Sequence, residues 1–310
     1  MRILITGATG FIGAAIAHRM AALDLEVHIF TRPSSNRWRI ESIAPKLIEH
    51  HVDLEDEDAV VRAVTGIRPE YVFHAACYGG FSFQQHVKRA FLSNLFGTMH
   101  LLGACERTGF EAFVHFGSSS EYGVKDTPMS ENVLLEPIGA YSVSKAAATL
   151  YCRSRAVETG LPVVTLRLFS PYGPFDDPQR LIPYVVSKLL RRQTPSVLTP
   201  SSVRDYIYIE DVLDICEIML AGPVPSGEIV NLGSGVQYSI GEVVSILYQI
   251  IGVESQPSWG SLAPRRTESA IWTADTTRMK RLFLWEPMYD LETGLESTVE
   301  WIHSRMNDYL

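Results

Sequence analysis

The sequence predicts an α/β fold: a doubly wound parallel sheet with helices on both faces, followed by a smaller C-terminal α/β lobe. Three observations carry that expectation. Short apolar runs alternate with longer amphipathic stretches through the first half, a glycine-rich turn joins the first run to the first stretch, and the texture changes after Arg167. Strand–helix–strand alternation implies right-handed crossovers and parallel pairing.

In chain order, Arg2–Thr6 predicts a strand and Phe11–Leu23 an amphipathic helix. Glu26–Phe30 is the second strand, a third closes at Asp53-Leu54, and Asp56–Val64 is the next helix. Tyr71–His74, Ala112–Gly117 and Pro162–Leu168 are further strands, separated by helices at Gln85–Arg107 and Ala140–Thr159. Ser170–Gln179, rich in Pro, Gly and Asp, predicts a loop. Beyond it lie a helix at Leu181–Arg191, short strands around Ser196–Leu198 and Tyr206–Ile209, a helix at Asp211–Leu220 and a strand at Glu228–Leu232. Helices at Ile240–Ile251 and Asp290–Arg305 complete the chain. Residues 1–168, joined by 204–235, are expected to form a dinucleotide-binding domain, and 169–310 mainly a substrate lobe over the carboxyl edge of the sheet, where open α/β sheets bind ligands.

A chain of 310 residues suffices for one large domain with an annex, and 46% hydrophobic content supports a full core. The formal charge of −8, with both signs interspersed, argues against a nucleic-acid surface. No apolar run reaches the roughly 18 residues of a membrane span, and the first residues run straight into a strand, so a cytoplasmic protein is expected. Cys77, Cys105, Cys152 and Cys216 show no CxxC spacing, which points to reduced thiols. The histidines show no ligand spacing with one another, so no metal is assigned.

The first turn reads Thr6-Gly7-Ala8-Thr9-Gly10-Phe11-Ile12-Gly13. Gly7 permits the tight exit from the strand, Gly10 lets backbone approach a pyrophosphate, and Gly13 lets the helix pack on the sheet. The helix N-terminus adds N–H groups and a positive dipole end. Position between strand and helix makes this a Rossmann-type dinucleotide signal, with Thr9, Phe11 and Ile12 lining the phosphates. The second strand ends in Thr31-Arg32-Pro33-Ser34-Ser35, without the acid that would hold a ribose 2′-hydroxyl. Arg32, with Ser34, Ser35 and Arg37, can meet a 2′-phosphate, so NADP is favoured over NAD. Asp53 and Leu54 are placed to reach the adenine, and the small Ala75 and Ala76 after His74 let a cofactor lie close.

Tyr141 and Lys145 are four residues apart in a predicted helix and so share a face. An ammonium beside the phenol favours the phenolate, and such a tyrosine can exchange a proton with an alcohol or ketone oxygen. The strand Ala112–Gly117 leads into Ser118-Ser119-Ser120-Glu121-Tyr122-Gly123, which places a hydroxyl donor at a strand's carboxyl end.

Taken together, the glycine turn, the strand-end serine and Tyr141-x-x-x-Lys145 resemble the extended short-chain dehydrogenase/reductase superfamily, and more specifically its NAD(P)-dependent nucleotide-sugar epimerases, dehydratases and reductases. His74-Ala75-Ala76, Asn94-x-x-Gly97-Thr98, Arg167–Pro174, Arg204–Val212 and Asn231–Gly235 match that family's style in order. The resemblance implies a cofactor contact at Asn94, Tyr141 as acid/base, Lys145 on the nicotinamide ribose and a serine on the C4 oxygen of the sugar. Counting from the strand end makes that serine Ser119, the preferred reading; counting back from Tyr122-Gly123 makes it Ser118. Under the first count Glu121 could serve as a dehydratase base, though Ser120 is a poor acid; under the second, dehydration loses its acid pair. A C4 epimerase or 4-keto reductase needs only tyrosine, serine and cofactor; a 4,6-dehydratase or a decarboxylase is the rival within enzymes.

Two further departures bear on substrate. Ser170 stands where many members carry the asparagine that holds a sugar diphosphate, and Cys77-Tyr78-Gly79-Gly80 is similar to 4-keto reductases that make dideoxy sugars. Tyr78, Ser118, Ser120, Ser170, Arg204 and Arg265 (or Arg266) are expected to meet a nucleotide-diphosphate sugar, the arginines because guanidinium forks match phosphate. The implied partner is a second copy, joined through the helices at 85–107 and 140–159. A non-catalytic NADP-binding regulator is the rival of another class; nucleotide binding without turnover of any sugar nucleotide would favour it.

Overall fold

The computed structural model describes residues 1–80, 83–197, 199–260 and 269–309. It divides into two compact units, each discontinuous in sequence: Met1–Gly123 with Leu134–Leu168 and Leu213–Val230, and Val124–Val133 with Phe169–Val212 and Asn231–Leu310.

The first unit is organised by a seven-stranded sheet built from β1 (Arg2–Thr6), β2 (Glu26–Thr31), β3 (Leu47–His51), β4 (Tyr71–His74), β5 (Ala112–Ser118), β6 (Val163–Leu168) and β10 (Ile229–Leu232), in the order β10-β6-β5-β4-β1-β2-β3. β1 pairs in parallel with β2 on one side and β4 on the other, so the strand order reverses there, the place where such sheets open a ligand crevice. Ile3, Leu4 and Ile5 are completely buried, as expected of a strand covered on both faces. The crossovers are α1 (Phe11–Ala22), α2 (Glu57–Ile67), α3 (Val87–Phe91) with α4 (Gly97–Thr108), and α5 (Ala140–Thr159). Asp56 begins α2 by accepting from the Ala59 N–H at 2.9 Å, so the helix starts one residue later than its sequence signal. This is the predicted doubly wound α/β architecture.

The long helix expected at Gln85–Arg107 starts at Val87 and passes through a π turn, Leu92–Phe96, between α3 and α4. The π turn contains Asn94, whose side chain is drawn inward to hydrogen-bond neighbouring backbone; one-turn π bulges commonly serve such a purpose.

The second unit holds a three-stranded sheet, β11-β9-β7, from β7 (Ser170–Tyr172), β9 (Val203–Tyr208) and β11 (Gln237–Ser239). The loop expected at Ser170–Gln179 therefore begins as a strand; Pro171 is tolerated because β7 lies at the sheet's edge. A two-stranded pair joins β8 (Ser196–Val197) to β12 (Ser258–Trp259). α6 (Leu181–Leu190), α8 (Ile240–Ile251), α9 (Thr277–Phe283) and α10 (Leu291–Ser304) belong to this unit, whereas α7 (Ile209–Ala221) begins in it and continues in the first from Leu213. Among the described residues no helix is long and apolar enough to cross a membrane.

Candidate active site

At the turn after β1, a Cβ on Gly13 would lie 2.3 Å from the Gly7 carbonyl oxygen, and one on Gly7 2.7 Å from the backbone of Ala75 and Ala76. α1, β1 and the chain leaving β4 therefore meet at van der Waals limits that only glycine allows. Gly10 starts α1 with no side-chain cap, and the first turn has no acidic residue. The helix end beside Thr9, Phe11 and Ile12 thus keeps its positive pole for an anion, and the crevice suits a dinucleotide's pyrophosphate.

The chain after β4 links this turn to α5. Five residues cover the distance: Ala75 and Ala76 touch Gly7, and Gly79, at φ +97°, packs so that a Cβ would come within 3.1 Å of the Tyr141 Cβ. Asn94 secures the segment between them. Its Oδ1 accepts from the Tyr78 N–H at 2.7 Å, and its Nδ2 donates to the Tyr78 carbonyl at 2.8 Å and to Ser144 Oγ at 2.9 Å. Ser144 in turn donates to the Tyr141 carbonyl at 2.8 Å. Asn94 is only 1% exposed and both its amide hydrogens are engaged, so its observed role is to tie the β4 exit to the first turn of α5.

Beneath this segment His74 bridges Thr6 Oγ1 at 2.7 Å and Thr98 Oγ1 at 2.8 Å. Thr98 donates to the Asn94 carbonyl, so it accepts from His74 Nε2, and Nδ1 accepts from Thr6. Burial, with Lys145 nearby, holds the His74 pKa down at about 3, so the ring is neutral.

The catalytic pair expected from sequence lies on one helix. Tyr141 and Lys145 occupy the first two turns of α5, and the buried Lys145 Nζ donates to the Phe116 carbonyl of β5 at 2.5 Å. Burial lowers the Lys145 pKa below the ordinary lysine value, and Cys77, Glu121 and Cys152 oppose it. Ser118 ends β5 and caps the short 3-10 helix Ser119–Tyr122: its Oγ accepts from the Ser120 N–H at 3.2 Å. Ser119 is buried directly beyond the cap, while Ser120 is half-buried.

Glu121, read from sequence as a possible base, occupies a different role. It is fully buried and ion-paired to Arg167, with Oε2 2.8 Å from the Arg167 Nε. A signal for this was present: an arginine in the middle of an apolar parallel strand requires a buried partner.

At the far end of the crevice, Arg32 is exposed just beyond β2, and the described residues offer its guanidinium no partner. Arg37, expected to assist it, is instead paired with Glu49 at 2.6 Å, and Thr31 also donates to Glu49. Glu49 on β3 was not foreseen because the neighbouring strand, not the sequence, brings it to the end of β2. Arg39 is a further site residue that sequence did not assign: it is buried, and its guanidinium donates to the Thr9 carbonyl at 3.3 Å and lies over the Trp38 ring. Asp53 is exposed, and Leu54 packs where a Cβ on Gly97 would touch it at 3.0 Å.

In the second unit, Ser170 lies on β7 and Arg204 on β9, the latter with its guanidinium 5.0 Å from the Trp272 ring. Arg265 and Arg266 lie outside the described residues. The neighbouring Asp205 is a buried anchor that accepts from Ser234, Gly235 and Ala274 N–H groups at 2.7–3.0 Å, which explains the Asn231–Gly235 motif structurally.

A model of the NAD dependent epimerase/dehydratase family matches residues 3–233. A UDP-glucose 4-epimerase from Mycolicibacterium smegmatis is 28% identical over 98% of this chain and 99% of its own. A dTDP-glucose 4,6-dehydratase from Streptomyces griseus is 30% identical over 71% of this chain and 69% of its own. Among solved structures, the UDP-glucose 4-epimerase of Thermotoga maritima with UDP-glucose superposes with a TM-score of 0.90 at 26% identity, covering 99% of this chain and 100% of that one.

Proposed function

The chain belongs to the NAD dependent epimerase/dehydratase family, within the extended short-chain dehydrogenase/reductases, and from that premise we propose that it catalyses hydride transfer at C4 of a nucleotide-diphosphate hexose, as a 4-keto reductase or C4 epimerase. The observation that carries this reading is the five-residue segment from Ala75 to Gly79, which touches the glycine turn at one end and Tyr141 at the other.

Gly7, Gly10 and the α1 N-terminus would hold the dinucleotide phosphates, Ala75 and Ala76 would leave room for its body, and Lys145 would hold the nicotinamide ribose; a bound nicotinamide would supply or accept the hydride. Tyr141 gives or takes the proton at the C4 oxygen, its ionisation favoured by the Lys145 ammonium on the same helical face. Ser119 donates a hydrogen bond to that oxygen, while Ser118 caps the turn that presents it. Tyr78 and Ser120 border the sugar, and Ser170 and Arg204 are assigned to the nucleotide diphosphate. The burial of Glu121 against Arg167 supports C4 chemistry over 4,6-dehydration, because no carboxylate of the serine turn remains for the C5 proton. Arg32 supports NADP as the cofactor; the Glu49–Arg37 pair favours NAD as the second reading, since it brings a carboxylate beside the end of β2, where an acid would hold a ribose hydroxyl.

Denaturing the purified protein and identifying any released dinucleotide separates these. An empty site that takes up NADPH and reduces a 4-keto sugar nucleotide bears out the reductase. Retained NAD with interconversion of C4 epimers bears out the epimerase. Nucleotide binding without turnover of any sugar nucleotide overturns the proposal.

A further inference from the structure

The buried ion pair behind the serine turn has a consequence for the proposed chemistry. Glu121 reaches three separate elements. Its Oε1 accepts from the Ser118 N–H at 2.8 Å and from Thr149 Oγ1 at 3.0 Å, and its Oε2 accepts from Arg167 Nε at 2.8 Å. Ser118 closes β5, Thr149 lies in α5 and Arg167 in β6. Thr149 follows Lys145 by four residues and Tyr141 by eight, so all three share one face of α5. Gly117 makes the arrangement possible: a Cβ there would sit 2.7 Å from Glu121 Oε1. The Arg167 guanidinium lies 4.7 Å from the Tyr122 ring centroid, which closes the other side.

We propose that Glu121, bracketed by Arg167, is a positioning residue that docks the serine-bearing turn onto the face of α5 carrying Tyr141 and Lys145; this rests on the C4 hydride-transfer reading above. The same carboxylate is a fixed charge beside the Lys145 ammonium. Facing that ammonium are His74 on β4, Cys77 in the loop after it, His115 on β5, Glu121, and Cys152 on α5 itself. Burial keeps both imidazoles neutral and pushes the Cys152 thiol up to about 12; Cys77 and then Glu121 oppose the desolvation of Lys145, and Glu121 is the carboxylate among them. Losing it makes Lys145 easier to deprotonate.

The test uses Glu121→Gln, which keeps the shape and removes the charge, and the double variant Glu121→Gln/Arg167→Met, which leaves no buried charge unpaired. Two readouts are taken: the Lys145 titration midpoint in the unliganded protein, by carbon-detected NMR of ε-labelled lysine assigned with Lys145→Arg, and the alkaline limb of kcat against pH. In Glu121→Gln the midpoint is expected to fall by about one pH unit, the scale of a nearby charge, with the alkaline limb following and kcat about tenfold lower; in the double variant, where the guanidinium leaves with the carboxylate, the midpoint falls less while kcat is again about tenfold lower. Thr149→Val, which cuts only the link to the helix, is expected to lower kcat and leave the midpoint in place. A double variant with native kcat and pH profile, or a Glu121→Gln variant with a native midpoint, overturns the inference and leaves Glu121 a structural ion only. The NMR midpoint needs no turnover, so an inactive native protein sinks the proposed function while the charge effect of Glu121 is still decided: an unmoved midpoint overturns it.

Discussion

His115 lies at the centre of β5 with both ring nitrogens buried and without a hydrogen-bond partner among the described residues, beside a His74 ring at 5.4 Å. An unmet buried polar group costs about 1–3 kcal/mol, so His115→Leu, of similar volume, is expected to raise the thermal midpoint. The same rings set a pH dependence. An unfolded histidine titrates near 6.5, whereas burial holds folded His74 at about 3 and His115 well below its ordinary value. The unfolded chain therefore takes up protons that the folded chain does not. Stability is complete above pH 6.5 and is expected to decline as pH falls from there toward 3, by up to about 1.4 kcal/mol per pH unit for each ring. Urea denaturation at pH 7.5 and 5.5 checks this, and His115→Leu should flatten the slope. Tyr141→Phe is expected to lower kcat by about 10²–10⁴-fold, the usual worth of a positioned proton donor, with dinucleotide affinity nearly unchanged in a fluorescence titration.

Among the elements, α1 and α2 respond to the same substitution in opposite senses. Gly13 packs α1 against the turn so closely that an alanine must move backbone, since its Cβ would meet the Gly7 oxygen at 2.3 Å. Gly13→Ala is expected to lose about 1–3 kcal/mol of stability and at least tenfold in dinucleotide affinity, measured by calorimetry. Gly66, in the last turn of α2, has nothing within 4 Å of a Cβ. Gly66→Ala is expected to leave affinity alone and to stabilise by about 0.5–1 kcal/mol. Equal losses of affinity in the two variants would remove the glycine crossing as the reason for the first.

At the scale of the whole molecule, α5 carries Val143, Leu150 and Val157, which are 37%, 50% and 71% exposed. They recur every seven residues and so form one stripe. An apolar stripe of this kind suits a self-complementary two-fold interface. We expect a homodimer by sedimentation equilibrium, converted to monomer by Leu150→Glu with little change in the monomer's far-ultraviolet spectrum. A native protein that sediments as a monomer at all concentrations removes the stripe as an interface.

Strand and helix positions, parallel pairing, the glycine turn and the Tyr141–Lys145 face were legible from sequence because each is written in local spacing: alternation, a turn residue, a four-residue repeat. What lay beyond it were meetings between residues far apart in the chain. The Asn94 clamp spans 50 residues to Ser144, Glu121 reaches 46 residues to Arg167, and Glu49 reaches Arg37 across a strand pair. Sequence thus determined the architecture and the family. Only the tertiary structure decided that Glu121 is a buried counter-ion and Asn94 a brace, because burial and pairing are properties of neighbours that the fold brings together, and a charged or amide side chain has the same letter in either setting.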